Sequence, residues 1–534
     1  MFKRLTVVVG GLAAFMTAAP PVFAETRGGT LRVTHRDNPP SASIHEEATI
    51  STVMPFMSVF NNLVMFDPKE KLNSADKIVP DLAESWPWNA DKTELTFKLR
   101  QGVKWHDGKP FSANDVKCTW DALIGKADEA QKDLIRKNPR KVWYSNLKEV
   151  TVGSPTEVTF TLGRPQSSFL PMLAAGYSPV YACHVSGRDM RSKPIGTGPF
   201  KVTEFKRGES IKLVRNPDYW KKGLPYLDGI DWKIVPNRST RVLGFVAGEF
   251  DLTFDSDITF PLLQDVKSQA PHAVCEARTT NVNTNLIVNR DAPPFDNPKL
   301  REALVLALDR KPFNDVLVQG HGMIGAAMLP PPAGKWGMPT EELATLPGYG
   351  QDIAKNRAEA QAIMKSLGYG PDKPLKVKVA TRNIAVYRDP AVILIDQLKQ
   401  IYVEGELDAV DTTVWHTKVQ RKDYAVGLNL TGIGVDDPDV NFYENFHSTS
   451  SRNYTGYKNP EVDKLIDMQS AEADRAKRLK IVGEIERLLV KDGARPVILH
   501  GAANTCWQPA VKDLVLQHNS IYNSWRFESV WLDK

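Results

Sequence analysis

Short segments in which apolar and polar residues alternate dominate the first half of the chain. Residues 95–99 alternate as a half-buried strand does, and Gln101-Gly102 ends the segment. The cap sequence from Ser112 to Asp115 predicts that a helix begins near residue 116. A further alternating stretch at 150–162 is hairpin-like. The first half, to about residue 290, is therefore predicted to be mixed and rich in strands.

The pattern changes after a turn-rich approach at 289–298, where apolar residues begin to recur about every 3.6 positions. Helical and strand-like segments alternate from there, which predicts an α/β domain. The predicted helices lie at about 299–308, 353–367, 391–404, 460–469 and 475–491, and the predicted strands at about 375–380, 424–430 and 495–500.

The first 24 residues have the pattern of a cleavable export signal. Lys3 and Arg4 give a positive start, residues 5–16 are apolar and uncharged, and small residues stand at the expected cleavage site. The apolar run is shorter than the roughly 20 residues that a membrane-spanning helix needs. We therefore predict a signal peptide over residues 1–24, cleaved after Ala24, and a mature protein in the periplasm.

Charge and cysteine spacing argue against two classes of site. The formal net charge is +5 over 534 residues with no long basic tract, so nucleic acid is not an expected partner. The cysteines are too widely spaced for a CxxC metal or redox site. They leave three pairings into two disulfides open, among Cys118, Cys183, Cys275 and Cys506.

A secreted hydrolase is the alternative function from a different class. The sequence has no Gly-x-Ser-x-Gly elbow and no phosphate-binding loop, and His45-Glu-Glu-Ala-Thr49 lacks the second histidine of a zinc protease. We therefore predict that the protein is not an enzyme and has no catalytic residues, no resident metal and no cofactor.

Several sequence phrases follow one another in a fixed order along most of the chain. They are Val79–Trp86, Leu95–Val116 with its Val-Lys-Trp-His-Asp-Gly-Lys-Pro-Phe core, Ile195–Phe200, Asn216–Trp220, Leu300–Arg310, Asp436–Asp439 and Tyr457–Asp463. Together they resemble the solute-binding proteins of peptide-type ABC importers, extracellular family 5, which include dipeptide, oligopeptide and nickel binders.

The resemblance implies an α/β, two-lobed periplasmic-binding-protein fold (type II, cluster C) with an extra subdomain in the first lobe. The implied parts are residues 25–60, the subdomain 61–190, 191–283 and a C-terminal return at 500–534 for the first lobe, and residues 284–499 for the second. The chain would cross between lobes near 283–288 and 498–503. A monomer of this kind captures a peptide or peptide-like solute between its lobes and delivers it to permease subunits in the inner membrane.

The family also implies where the solute is contacted: a loop after the first strand, the first crossing, an aromatic of the second lobe and the loop before Asp437-Pro438. We expect hydrogen-bonding, stacking and backbone contacts from Thr49, Ser51, Asn285, Trp415, Thr431, Gly434 and Asp436. For Trp415, stacking on the solute and a place in the core are equally consistent with the sequence.

One departure from the family bears on the solute. Dipeptide and oligopeptide binders carry an aspartate that pairs with the peptide amino terminus, whereas Ile433 or Gly434 occupies that place here. A buried ammonium without a counter-charge costs several kcal/mol. The sequence therefore disfavours an ordinary peptide with a free amine, and a non-peptide solute such as an opine or oligosaccharide is the alternative. Asp436 can replace the carboxylate only if the loop is remodelled, and Asp436–Asp439 otherwise predicts a turn and helix cap.

Two further sets of residues have an ordinary structural interpretation. His416 and His447 are candidates for holding a metal chelate, but lone histidines are more often structural, so no metal site is predicted. Arg421-Lys422 lies where oligopeptide binders have a basic residue that faces a carboxylate, although such a pair is more often a solvated helix face.

Overall fold

The computed structural model describes residues 25–350 and 352–533. The predicted signal peptide and its cleavage after Ala24 lie outside the described residues. Within those residues, no helix combines the length and the apolar character that crossing a membrane requires.

The strands of the first half are short. They are β1 (Thr30–His35), β2 (Val64–Phe66), β3 (Ile78–Pro80), β4 (Ala83–Ser85), β5 (Glu94–Leu99), β6 (Leu147–Ser154), β7 (Glu157–Leu162), β8 (Phe200–Lys206), β9 (Ser210–Arg215) and β10 (Gly229–Ile234). The later strands are β11 (Val274–Val288), β12 (Leu375–Arg382), β13 (Val403–Val410), β14 (Val426–Gly432), β15 (Val497–Trp507), β16 (Val511–Lys512) and β17 (Trp531–Leu532).

Helices are short in the first half and longer in the second. The first are α1 (Ile50–Phe56), α2 (Ala113–Ile124), α3 (Phe169–Ala174), α4 (Gly187–Ser192), α5 (Arg238–Val246) and α6 (Phe260–Gln269). The others are α7 (Pro298–Ala307), α8 (Arg310–Val318), α9 (Thr340–Leu343), α10 (Ile353–Ser366), α11 (Ala385–Lys399), α12 (Thr412–Gln420), α13 (Pro438–Asn445), α14 (Pro460–Ala471) and α15 (Arg475–Lys491).

Two four-stranded sheets form the first lobe. One has the order β1-β10-β9-β8, with β1 parallel to β10, and the other is the antiparallel sheet β4-β5-β7-β6. Alternation buries Leu95 and Phe97 of β5 on one face together with Phe160 of β7, as the sequence pattern predicts. The antiparallel sheet lies within residues 61–190, and the predicted domain boundaries stay a prediction.

A five-stranded sheet of order β13-β12-β14-β11-β15 forms the second lobe. Strand β12 runs parallel to β13 and β14, whereas β11 is antiparallel to β14 and β15. Leu304 of α7, Met364 of α10 and Leu394 of α11 belong to one buried cluster with Val379 and Leu428 of the sheet. This core is separate from that of the first lobe, so the α/β two-lobed architecture is confirmed.

Strands β11 and β15 connect the two lobes. Near the first lobe, Val274 to Thr279 pair with Trp507 to Ala502, and Trp507 also bridges to Leu252. Pairing is interrupted between Thr279 and Asn283, and it resumes in the second-lobe sheet. The predicted crossings at 283–288 and 498–503 lie on these two strands, but residues 283–288 already pair with β14 in the second-lobe sheet, beyond the interruption.

The cysteines form two disulfides, Cys118–Cys183 and Cys275–Cys506. The first joins α2 to the segment before α4. The second joins β11 to β15 at directly paired positions, near the first-lobe end of the crossing. Tertiary structure thus selects one of the three pairings that the sequence leaves open.

One predicted helix is wrong at both ends. The sequence predicts a helix at 391–404, whereas α11 begins at Ala385, includes Pro390 and ends at Lys399. Residues Val403–Val410 form β13 instead. This strand lies at the edge of its sheet and buries only its two terminal residues, so its sequence lacks the apolar alternation that signals a strand.

The local structure explains why particular residues occur in two of the family phrases. In Ile195–Phe200, a β-carbon on Gly196 would lie 1.9 Å from the Val59 carbonyl oxygen, so only glycine allows this close approach. In Asp436–Asp439, the Asp437 side chain accepts a hydrogen bond from the Asp439 amide and caps α13, with Pro438 at the first helical position. The predicted turn and helix cap is confirmed there.

Candidate functional site

A cavity of about 150 Å³ lies between the two lobes, and both lobes contribute to its walls. Residues of the first lobe that line it include Arg36, Ala48, Thr49, Ile50, Arg238, Ser256, Phe260 and Tyr522. The crossing strands contribute Thr280, Val282, Thr284, Gly501 and Ala502. The second lobe contributes Arg382, Tyr387, Asp389, His416, Leu430, Gly432, Arg452 and Tyr454. A molecule held in this cavity touches both lobes at once.

Arg382 joins the lobes at one wall of the cavity. It ends β12, and its Nη2 donates a hydrogen bond of 2.7 Å to Oδ2 of Asp37 in the first lobe. Burial alone raises the pKa of Asp37, but Arg382, Thr412 and Ser51 together lower it below its usual value. The pair is therefore ionised and forms an interlobe ion pair in which Arg382 is 2% exposed.

Two of the predicted site residues lie beside this ion pair. Thr49 is the N-cap of α1, lines the cavity, and its Oγ1 accepts a 3.4 Å hydrogen bond from Arg382. Ser51 is fully buried just behind, where its Oγ donates to Asp37 at 2.8 Å. The structure thus brings Thr49 to the cavity and places Ser51 behind Asp37.

Asn285 and Thr431 lie together on neighbouring strands, away from the cavity wall. Asn285 Nδ2 donates to Thr431 Oγ1 at 2.9 Å, and the Arg495 guanidinium donates to both residues at 2.8 Å. Thr284 and Gly432, one position along each strand, line the cavity instead. Because side chains alternate between the faces of a strand, a one-residue difference moves a side chain to the opposite face.

Trp415 is fully buried in a small apolar cluster of the second lobe. The cluster includes Val419 of the same helix and Tyr454, whose side chain lines the cavity. The adjacent His416 also lines the cavity. Of the two interpretations left open by the sequence, the structure places Trp415 in the core behind the cavity wall.

Gly434 and Asp436 lie where the loop before α13 meets the first lobe. The Gly434 carbonyl accepts hydrogen bonds of 3.2 Å from Ser520 and Asn523. Asp436 Oδ1 accepts a 3.4 Å bond from Asn281 of β11. Burial raises the pKa of Asp436 to about 6, with Asp437 adding to the shift against hydrogen bonds from Asn519 and Asn281. Neither Gly434 nor Asp436 lines the cavity.

Sequence reasoning missed most of the polar residues that line the cavity. Among the described residues, the buried atoms without a hydrogen-bond partner include Arg36 Nε, Arg452 Nε, Tyr454 Oη and both ring nitrogens of His416. All four residues line the cavity. No local pattern identifies a buried arginine, since its position depends on distant segments, and the sequence suggests His416 only as a metal ligand.

A second interlobe link leads directly to the cavity. Trp143, in the first lobe, donates from Nε1 to Oε2 of Glu444 at 3.0 Å. Glu444 lies on α13 of the second lobe and forms an ion pair with Arg452, which lines the cavity. The contact between lobes and the cavity wall therefore share one carboxylate.

The remaining sequence candidates, His447, Arg421 and Lys422, lie away from the cavity. No cluster of three metal-ligating side chains occurs in the part of the chain that the structure describes. His447 Nε2 lies 3.9 Å from Oδ1 of Asp463. Its Nδ1 forms a 2.8 Å hydrogen bond with the Thr449 hydroxyl. Lys422 pairs with Asp291, and Arg421 is exposed. None of these residues lines the cavity.

The model of the middle region of the bacterial extracellular solute-binding proteins, family 5, matches residues 77–453, well over half of the chain. The chain belongs to this family. The resemblance on which the sequence analysis depends is therefore confirmed, and the protein is a solute-binding component of an ABC importer. Proteins of this family are periplasmic and work with ABC permeases.

Curated relatives agree with this assignment. The glutathione-binding protein GsiB of Salmonella typhimurium is 26% identical over 441 residues, covering 78% of this chain and 79% of that protein. GsiB of Escherichia coli K12 is 25% identical over 442 residues, covering 79% and 80%.

Solved structures share the fold. The periplasmic binding protein DppA of Helicobacter pylori, in complex with the peptide STSA, has a TM-score of 0.82 at 21% identity and covers 95% of this chain and 99% of its own. AgaA of A. tumefaciens R10, in complex with agropinic acid, has a TM-score of 0.79 at 20% identity, with coverage of 95% and 99%. The two-lobed fold of this family is therefore the fold of the protein.

Proposed function

We propose that this family 5 protein captures a peptide-like small solute in the cavity between its lobes and delivers it, chemically unchanged, to an inner-membrane permease. The observation that carries the proposal is the cavity wall itself. Residues of both lobes line it, and several of their buried polar atoms have no protein partner. Buried polar groups are normally hydrogen-bonded, so such atoms are suited to a bound molecule.

Capture is coupled to closure because the solute contacts both lobes. A molecule that binds the closed form more tightly than the open form shifts the population by that difference in affinity. In the closed form, Arg382 meets Asp37 and Trp143 meets Glu444 across the lobes. These contacts give the permease one defined shape to recognise.

The roles of the predicted site residues follow from their neighbours. Thr49 is proposed as a direct solute contact at the cavity wall. Ser51 holds the Asp37 carboxylate in place through its hydrogen bond. The Arg495 guanidinium is held by its hydrogen bonds to Asn285 and Thr431. Trp415 supports the cavity wall at the adjacent His416. Gly434 and Asp436 belong to the contact between lobes rather than to the cavity.

Titration calorimetry with peptide-like solutes, beginning with glutathione because curated relatives bind it, tests the proposal. We expect saturable binding at one site per chain and recovery of the solute intact by mass spectrometry. Loss of the solute with appearance of a product would instead show a hydrolase on this fold. Failure of every peptide-like compound to bind would refute the peptide-like part of the proposal.

Export as a monomer, with cleavage after Ala24, completes the proposed function. Edman sequencing of the periplasmic protein should begin at Glu25, and light scattering should give one chain per particle. A retained N-terminus or a stable dimer would contradict these two points separately.

A further inference from the structure

Positive charge exceeds negative charge around the cavity. Arg36, Arg238, Arg382 and Arg452 line it, whereas Asp389 is the one carboxylate among the described lining residues. Three of these arginines have a carboxylate partner: Arg382 has Asp37, Arg238 has Asp389 at 3.1 Å, and Arg452 has Glu444.

Arg36 is the exception. It is 6% exposed, and among the described residues no carboxylate lies within 4.0 Å of its guanidinium. Its one hydrogen bond is a 3.4 Å contact to the Asp255 carbonyl, and its Nε has no partner. The nearby carboxylates are engaged elsewhere, since Asp255 pairs with Arg278 and Asp257 with Arg241.

Two more buried arginines, Arg495 and Arg140, have neutral hydrogen-bond partners and each packs against an aromatic ring at or next to the cavity wall. The Arg495 guanidinium carbon is 5.3 Å from the centre of the Tyr454 ring, which lines the cavity. That of Arg140 is 3.7 Å from the Tyr177 ring, and Tyr177 contacts Tyr522, another lining residue. Both arginines donate to carbonyl, amide or hydroxyl oxygens.

His416 lies within this positive field with both ring nitrogens unpartnered. Burial, followed by Arg382, Arg452, Lys137 and Arg140, lowers its pKa well below the ordinary value for histidine. A neutral imidazole carries one N–H donor and one acceptor nitrogen and no charge, so His416 leaves the positive charge of the cavity wall unchanged.

We propose that the cavity binds a compact organic anion, with an acidic group held by Arg36, and that binding needs no free ammonium on the solute. This inference rests on the proposed function for its site. Buried charge is costly without a partner, and a bound anion supplies the missing counter-charge. A solute ammonium, by contrast, finds no unpaired carboxylate among the described lining residues.

Calorimetry with matched compounds tests the inference. The set comprises Glu-Glu, N-acetyl-Glu-Glu, Gln-Gln, Lys-Lys, the non-peptide tricarboxylate tricarballylate and phosphoserine. We expect the acidic compounds to bind, N-acetylation to leave the dissociation constant within about threefold, and the neutral and basic dipeptides to show no heat of binding.

The outcomes separate the two proposals. Binding of Gln-Gln or Lys-Lys as tight as that of Glu-Glu overturns the anion inference and leaves peptide capture standing. Binding confined to tricarballylate or phosphoserine supports the anion inference and refutes a peptide-like solute, and the preferred compound of the two identifies carboxylate or phosphate. If N-acetylation abolishes binding, the solute needs its free ammonium, and that part of the inference is overturned. No binding by any member overturns the anion inference, whereas peptide capture falls only if glutathione and the other peptide-like solutes also fail to bind.

Variants of Arg36 give a second readout. For the acidic compound that binds best, Arg36→Gln should weaken binding about 10- to 100-fold, Arg36→Lys less, and the exposed control Arg421→Gln not at all. Salt dependence of the wild-type affinity covers the case in which Arg36→Gln fails to fold, because anion capture weakens as ionic strength rises. Equal affinity of wild type and Arg36→Gln, or wild-type affinity unchanged by salt, contradicts the inference.

Discussion

At the scale of single residues, the buried ion pair between Asp37 and Arg382 has the largest expected effect. Asp37→Asn leaves the Arg382 guanidinium buried without a counter-charge, which costs about 3–5 kcal/mol. We expect the variant to melt at a lower temperature than wild type at pH 7. The comparison is by differential scanning calorimetry, with the exposed Asp218→Asn as the matched control.

The same substitution has a defined pH dependence. Because the folded-state pKa of Asp37 is lowered, its contribution to stability is present above the unfolded pKa of about 3.9 and is lost as pH falls through the folded value. The difference between Asp37→Asn and wild type should therefore shrink below about pH 4. A difference that stays constant from pH 7 to pH 3 would contradict an ionised Asp37.

Replacing Asp436 should change the folding stability in the opposite direction from replacing Asp37. Burial raises its pKa to about 6, so its protonated form favours folding at low pH and this contribution is lost as pH rises through 6. Asp436→Asn should therefore be more stable than wild type at pH 8, by up to about 3 kcal/mol, and equal near pH 4. Chemical denaturation at the two pH values measures this, and a variant less stable than wild type at pH 8 would refute it.

At the scale of elements, the paired strands β11 and β15 determine how the lobes are joined. The Cys275–Cys506 disulfide fixes these strands to each other at the first-lobe end. The interruption in pairing between Thr279 and Asn283 lies next to the cavity residues Thr280 and Val282. Motion between lobes is therefore expected at the interruption rather than at the disulfide.

Removing this disulfide should reduce stability and leave solute binding intact. The sequence separation of its cysteines is 231, compared with 65 for Cys118–Cys183, and a longer closed loop constrains the unfolded chain more. We expect the Cys275→Ser/Cys506→Ser variant to lose about 2–5 kcal/mol of unfolding free energy. The Cys118→Ser/Cys183→Ser variant is the matched comparison and should lose less. Greater loss from the second variant would contradict the loop argument.

At the scale of the whole molecule, the link from Trp143 through Glu444 to Arg452 couples closure to the cavity. Trp143→Phe keeps an aromatic ring but removes the indole donor across the lobes. Since one hydrogen bond contributes about 1 kcal/mol, we expect the solute dissociation constant to rise about fivefold. The solute-induced change in tryptophan fluorescence should also diminish.

Trp88→Phe, in the first lobe and outside the cavity wall, is the control for this prediction. It should leave both the affinity and most of the fluorescence change as in wild type. If Trp143→Phe binds as tightly as wild type with the full fluorescence change, the indole is not part of the closure contact.

Much of the fold could be predicted from local sequence because many helices and strands carry a recognisable pattern, such as a helix cap or an alternation of apolar and polar residues. Ser112 and Asp115 form the capping box of α2, and the alternating residues of β5 are buried as expected. The edge strand β13 was missed because most of its residues remain in contact with water. Among the predicted site residues, Thr49 lines the cavity, whereas Asn285 and Thr431 lie on the far face of their strands.

The sequence by itself determined the family and, through the family resemblance, the two-lobed α/β class, because the phrases that carry this resemblance are short and local. Only the tertiary structure decided which side chains face the cavity and how the cysteines pair. Arg36, Arg382, His416 and Arg452 are far apart in the chain, and their common environment exists only after β11 and β15 bring the lobes together. The charge of the cavity is therefore a property of the folded molecule.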